Sequence, residues 1–286
     1  MALLEVFGGR LEKINLQKLL FLVCHNQKKP DYDFIPYLYG CYSHSAKADL
    51  YTMVQKGLLT EDDSGYLKND KKNYLSLVDV KDKELITEAY LLYSKMDSNG
   101  LMKHTYTNFP YYAINSTTAE KILTKEQLDK INAYRPSLVS TILYTIGYEG
   151  ISLEAYLNKL VKNDIKILVD VRNNAMSQKF GFSKSQLIRY CKGLNIEYVH
   201  FSEVGIESEY RQELKEQADY NTLFNNYKKK TLPKTIPTQM KILTLLRENK
   251  RIALTCFEAN ICQCHRKHLA EAITHLPDWN FELKHI

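Results

Sequence analysis

Long apolar runs are missing from this sequence. No stretch approaches the roughly 18 residues that a membrane-spanning helix needs. Acidic Glu5 near the start, with no apolar segment behind it, argues against a secretion signal. The chain is therefore expected in the cytoplasm. Cysteine is sparse, at 6 in 286 residues, and without a secretion signal that excludes a disulfide-built scaffold. Glycine (11) and proline (7) are too few for a collagen-like or low-complexity chain. There is no GxGxxG and no P-loop, so dinucleotide or nucleoside triphosphate binding by those routes has no support. A second CxxC-like half is also absent. The cluster Cys262, Cys264, His265 and His268 therefore lacks the paired spacing of a zinc site, and neither a metal nor another cofactor is expected.

What is present suits a soluble globular protein: 44% hydrophobic and 25% charged residues. The length allows one large domain or two ordinary ones. The net charge of +6 is uneven, with +1 in residues 1–137 and +5 in residues 138–286. A basic second half permits an anionic partner such as nucleic acid, and equally a solvated basic face. The 21 tyrosines can stack on bases or sit half-buried in a core.

The periodicity predicts two domains, 1–135 and 138–286, joined near Tyr134-Arg135-Pro136. In the first, Leu16, Leu19, Leu20 and Val23 share one helical face. A second helix is predicted over 45–56, with Ala46, Leu50, Met53 and Val54 inward and Gly57 as its stop. Strands at 58–60 and 74–78 around an acidic turn follow, then helices near 82–96 and 117–132. A helix followed by a strand hairpin is the outline of a winged helix. The segments Leu16-Gln17-Lys18-Leu19-Leu20, Phe34-Ile35-Pro36-Tyr37-Leu38-Tyr39-Gly40-Cys41-Tyr42-Ser43 and Gly57-Leu58-Leu59 resemble N-terminal winged-helix-like domains found beside bacterial defence and antitoxin proteins. That resemblance implies binding to DNA or to a protein partner. Lys47 and Lys56 are the basic residues available on the predicted reading helix.

The second domain alternates strands (138–146, 165–171, 196–201, 251–257, 281–286) with helices (near 152–162, 183–193, 207–228, 236–248 and 263–275). Ser152 is a predicted N-cap, Ser183 to Gln186 a capping box, and Gly193 a helix stop. This order implies an α/β, Rossmann-like, mostly parallel sheet flanked by helices, preceded by a mainly α winged-helix-like domain. Sites in such sheets form beyond the carboxyl ends of the strands. Gly147, Tyr148 and Glu149 fall at one such end. Asp170, Arg172, Asn173 and Ser177 fall at or beyond the second, His200 at the third, and Cys256 and Glu258 at the fourth. Cys264, His265 and Arg266 open the helix that follows.

These residues carry a second resemblance. Thr145-Ile146-Gly147-Tyr148, Leu168-Val169-Asp170-Val171-Arg172 with Ser177, Ile196-Glu197-Tyr198-Val199-His200, Val204-Gly205, Cys256-Phe257-Glu258, Cys264-His265-Arg266 and the closing Leu283-Lys284-His285-Ile286 resemble domain-of-unknown-function family 488. Ala175 stands where that family usually shows proline, and Ile206 where it often shows a second glycine. The resemblance implies the α/β fold and an activity related to nucleotides or nucleic acid.

The expected chemistry is hydrolysis of an N-glycosidic bond in DNA, with or without base modification, in anti-phage defence; the expected partner is double-stranded DNA. Breaking that bond builds positive charge on the sugar, which a carboxylate can stabilise. Asp170, Glu258 and Glu149 are the candidates, although Asp170 could serve only to pair with Arg172 or Arg266, and Glu258 could cap a helix. Tyr148 could stack on an extruded base. Gly147, Asn173, Ser177, His200, Cys264 and His265 would line the substrate site, and Arg172 and Arg266 would hold phosphate or sugar. Two rival readings stand beside this one. One is a non-enzymatic DNA-binding regulator with a nucleotide-sensing pocket. The other is a cysteine-dependent transferase using Cys264, whose position at a helix start predicts a lowered thiol pKa.

Overall fold

The structure, a computed structural model, describes residues 1–137, 139–207 and 216–286. These fall into two compact units, Met1–Arg135 and Pro136–Ile286.

The N-terminal unit is mainly helical. Its elements are α1 (Ala2–Val6), β1 (Arg10–Glu12), α2 (Lys13–Asn26), β2 (Ile35–Tyr37), β3 (Gly40–Tyr42), α3 (His44–Gln55), β4 (Leu59–Glu61), β5 (Gly65–Lys68), α4 (Val80–Tyr93), α5 (Ser98–Asn108), α6 (Ala119–Ile122) and α7 (Lys125–Ala133). Leu16, Leu19 and Val23 of α2 are buried as their spacing predicts, and Phe21 packs edge-on against Phe34, Phe109 and Tyr112. Gln17 and Lys18 are buried too, because both serve backbone. Gln17 exchanges two hydrogen bonds with the main chain of Ser43, and Lys18 Nζ donates to Cys41 O at 3.0 Å. Burial pushes the Lys18 pKa down.

Two expectations for this unit fail. The second strand of the β4–β5 hairpin is Gly65–Lys68, not 74–78, which forms a 3-10 turn over Leu75–Leu77. The hairpin closes early because Asp62 Oδ1 accepts from the amides of Ser64 and Gly65. The later run is held instead by Glu5, whose carboxylate accepts from the amides of Tyr74 and Leu75. Helix α5 had no clear apolar period and was not anticipated. On α3, Lys47 is committed to Glu61 at 2.7 Å and to the Tyr66 hydroxyl. Of the two cations expected to read DNA, that leaves Lys56, exposed at the helix end.

The C-terminal unit is a three-layer α/β/α structure. Its strands are β6 (Ile142–Gly147), β7 (Ile167–Asp170), β8 (Glu197–His200), β9 (Arg251–Cys256) and β10 (Glu282–His285). All pair in parallel, in the order β10-β6-β9-β7-β8. The helices are α8 (Leu153–Lys162), α9 (Lys184–Lys192), α10 (Gln217–Lys230), α11 (Ile236–Asn249) and α12 (His265–Thr274). Strand alternation sends Ile252, Leu254 and Cys256 into the core shared with α10, α11 and α12. Ala253 and Thr255 face the other way, where Tyr156 of α8 donates to Thr255 Oγ1 at 2.8 Å. Residue 138, expected in the first strand, and residues 208–215, expected in a helix, lie outside the described residues.

Ser152 caps α8 as predicted, accepting from the Ala155 amide, and Leu153, Tyr156, Leu157 and Leu160 are buried. Ser183 precedes α9 without capping it. Its hydroxyl donates to Ser177 O and accepts from the Ser177 amide, while Gln186 accepts from Gly181. Both side chains of the expected box thus serve the loop after β7.

Leu157, with no exposed surface, tests the packing of α8 on the sheet. Leu157→Ala is expected to lower stability by about 2–5 kcal/mol. Urea unfolding followed by circular dichroism measures it, and a loss below about 1 kcal/mol would contradict this packing.

Candidate functional site

The parallel register brings four strand exits side by side. Gly147 pairs with Cys256, and Asp170 stands between Thr255 and His200. Strand β9 lies between β6 and β7, and the chain leaves β6 and β9 in opposite directions along the sheet, which opens a crevice there. The loops then close tightly. The amides of Tyr148 and Glu149 both donate to Phe257 O, at 3.1 and 2.9 Å. Only glycine permits this at 147, where a Cβ would stand 2.0 Å from Glu258 O. At Gly205 a Cβ would stand 2.1 Å from Asn173 N.

A buried ion pair lies beneath the crevice. Asp170 is fully buried and Arg172 is 4% exposed. Arg172 Nε and Nη2 donate to the carboxylate at 2.9 and 2.5 Å, its Nη1 to the Tyr148 hydroxyl at 2.6 Å and to Phe182 O at 3.0 Å. Tyr198 donates to the second Asp170 oxygen at 2.6 Å. Burial works against the guanidinium charge, but the Asp170 carboxylate overcomes it and holds the Arg172 pKa above its ordinary value. The Tyr148 ring stacks on Phe182, with centroids 4.2 Å apart and planes 10° from parallel.

The backbone after β7 is pinned from both sides. A carbonyl can only accept, so His265 Nε2 carries the proton it donates to Val171 O at 2.9 Å, and His200 Nε2 the one it donates to Arg172 O at 2.8 Å. His200 Nδ1 accepts from Lys184 at 3.3 Å. Both ring nitrogens of His200 are thus engaged within the fold.

Above the pair lies a pocket of about 240 Å³ walled by Tyr148, Arg172, Asn173, Asn174, Met176, Ser177, Ile206 and Phe257. Met176 and Ser177 also border a groove of about 810 Å³ that carries Lys179, Ser183, Lys184 and Ser185.

The expected residues divide accordingly. Tyr148, Arg172, Asn173 and Ser177 meet in the pocket wall. The expected catalytic carboxylates lie elsewhere. Asp170 is engaged by Arg172 and Tyr198. Glu149 is exposed and accepts from the Ala259 amide at 2.9 Å. Glu258, half-buried one residue beyond Phe257, accepts from Cys256 Sγ at 3.1 Å. Arg266 is turned inward, its guanidinium donating to Glu258 O and Ala259 O, so it braces the loop after β9 rather than offering itself to phosphate.

Cys264 contradicts its expected low pKa. At 1% exposure, burial pushes its thiol well above the usual range, and neighbouring Cys256 adds to the rise. The fold brings together Cys256, Cys264 and His265, whose ligand atoms lie within 4.8 Å of one another. Cys262 is exposed, and His268 faces Glu271.

Sequence reasoning gave no role to Phe182, Asn174, Met176, Ile206 or the hydroxyl of Tyr198. Tyr198 left a signal two residues before His200, and Ile206 left one by departing from the family pattern. The rest depend on loop conformation.

Asp170→Asn removes the partner of a buried cation and is expected to cost about 3–5 kcal/mol, read by chemical unfolding. A change under 1 kcal/mol would mean that Arg172 reaches water. A pH effect follows from the tyrosines. Burial raises the hydroxyl pKa of Tyr148, and burial with the Asp170 carboxylate raises that of Tyr198, above the ordinary 10.0. The unfolded chain releases these protons first, so their stabilisation is complete below about pH 10 and declines above it. Unfolding titrations across that pH check the fall, and a flat profile would exclude buried hydroxyls.

The family model described as Domain of unknown function DUF488 matches residues 152–273, which lie wholly within the C-terminal unit. No curated protein and no solved structure matches the chain. The stretch from the first turn of α8 to the last of α12 therefore makes the C-terminal unit a DUF488 domain.

Proposed function

We propose that the C-terminal unit takes a single nucleobase of DNA into the 240 Å³ pocket and hydrolyses its N-glycosidic bond. The observation that carries this reading is the pairing of two cavities. The pocket is smaller than the roughly 300–1,000 Å³ of sites for drug-sized ligands, which suits one planar ring system. Exposed Phe257 offers a ring for stacking, Tyr148 lies in the pocket wall with its ring already stacked on Phe182, and Asn173, Asn174 and Ser177 offer hydrogen bonds to a base edge. The adjoining groove, with Lys179 and Lys184, suits a phosphodiester backbone continuing from the base.

In this reading water adds to C1′ of the sugar as the C–N bond breaks, its proton ends on the departing base, and Arg172 and the Tyr148 hydroxyl stabilise the electron pair that leaves with that base. Arg172 is suited to it because Asp170 and Phe182 O fix its fork in advance. Glu258, one residue beyond Phe257 of the pocket wall, would answer positive charge on the sugar. Anti-phage defence against DNA with modified bases is a setting consistent with it. The N-terminal unit would then contact DNA or a protein partner, and the commitment of Lys47 to Glu61 favours the protein. Thiol-transfer chemistry at Cys264 has less support, since that thiol is buried and held protonated.

Purified protein incubated with unmodified and hypermodified phage DNA is expected to release free base, seen by mass spectrometry, and to leave abasic sites. Glu258→Gln and Arg172→Lys should each lower the rate by about 10²–10⁴-fold while DNA is still bound. Tight binding with no release from any DNA would overturn the enzyme and favour a base-sensing regulator.

A further inference from the structure

We propose that Cys256, Cys264 and His265 form a binding site for a divalent ion of the zinc class, tying the end of β9 to the start of α12. The assignment does not depend on the base-excision reading. Cys256 Sγ lies 3.7 Å from His265 Nδ1, and all three ligand atoms fall within 4.8 Å of one another. Zinc–sulfur bonds near 2.3 Å and zinc–nitrogen bonds near 2.0 Å set the edges of a tetrahedral site at about 3.5–3.8 Å. The observed 3.7 Å meets one edge, and the other two spacings, within 4.8 Å, would close by at most about 1 Å on binding.

The tautomer of His265 fits the same purpose. Its Nε2 must carry the proton donated to Val171 O at 2.9 Å, so in the neutral ring the lone pair sits on Nδ1, facing the cysteines. A backbone carbonyl holding the far nitrogen is the usual support of a metal-bound histidine. Two thiolates and an imidazole select zinc over magnesium or calcium, which take oxygen ligands. Glu258 Oε2, 3.1 Å from Cys256 Sγ, is the nearby acceptor for the proton the thiol gives up as it ligates. The two cysteines are eight residues apart in the sequence, and the loop between them, which includes the 3-10 turn Ile261–Gln263, returns Cys264 to the neighbourhood of Cys256.

The test uses the full chain, reduced and stripped with chelator, then titrated with Co²⁺. One equivalent is expected to bind with the thiolate-to-cobalt absorption of a tetrahedral site, and Zn²⁺ should displace it. Cys256→Ser and Cys264→Ser should each abolish the band, and exposed Cys262→Ser should keep it. Because buried serines can unfold the domain, the wild-type chain supplies a second readout: its Tm should rise with Zn²⁺ concentration, as binding to the folded state requires. The proposal is overturned if the wild-type chain shows no cobalt band and no rise in Tm, or if the band survives in folded Cys256→Ser. A Cys256–Cys264 disulfide that persists under reductant and blocks uptake would also overturn it. Neither readout involves base release, so failure here and failure of the glycosylase assay are separable.

Discussion

An arginine taken out of water cannot escape its charge by losing a proton, so a buried guanidinium dictates what surrounds it. Arg172 does this for the C-terminal unit. Its fork is filled by Asp170 from the end of β7, the Tyr148 hydroxyl from beyond β6 and Phe182 O from the loop before α9, while Tyr198 of β8 closes the far side of Asp170. Three strands and one loop thus answer to one cation. The floor of the pocket is fixed in place by these hydrogen bonds, and Arg172 is the cationic side chain in the pocket wall.

The backbone is managed by the same logic. Loops crowded at a sheet edge leave carbonyls that water cannot reach, and each must find a donor. His265 and His200 supply donors to consecutive carbonyls, Val171 and Arg172, and Arg266 supplies one to Glu258. At the other end of the sheet Arg251 serves Asn163 and Ser140 in the same way. The N-terminal unit repeats the device with Lys18 on Cys41. Lys18, Arg251, His265 and Arg266 are all clamps on main chain. That is why several residues that read as ligands in the sequence face inward.

Much of the architecture was legible because it rests on local rules. The alternation of strands and helices, the Ser152 cap and the inward face of α8 follow from periodicity and capping alone. Two of the failures come from a group claimed by a partner outside its own element. Glu5 takes the amides of Tyr74 and Leu75 and keeps that run out of a strand, and Ser177 takes the hydroxyl of Ser183 from its helix. The candidate site divides in the same way. That Tyr148, Arg172, Asn173 and Ser177 lie near the strand ends was readable. That Asp170 would be consumed by Arg172, and Glu258 turned toward Cys256, was not.

The sequence by itself determined the element types, the parallel α/β class and the gathering of polar residues at one sheet edge, since these depend on spacings of a few residues. Tertiary structure alone decided strand order, the pocket wall and the meeting of Cys256 with Cys264 and His265. These depend on which groups, far apart in the chain, can satisfy one another once water is excluded, and no local pattern encodes that choice.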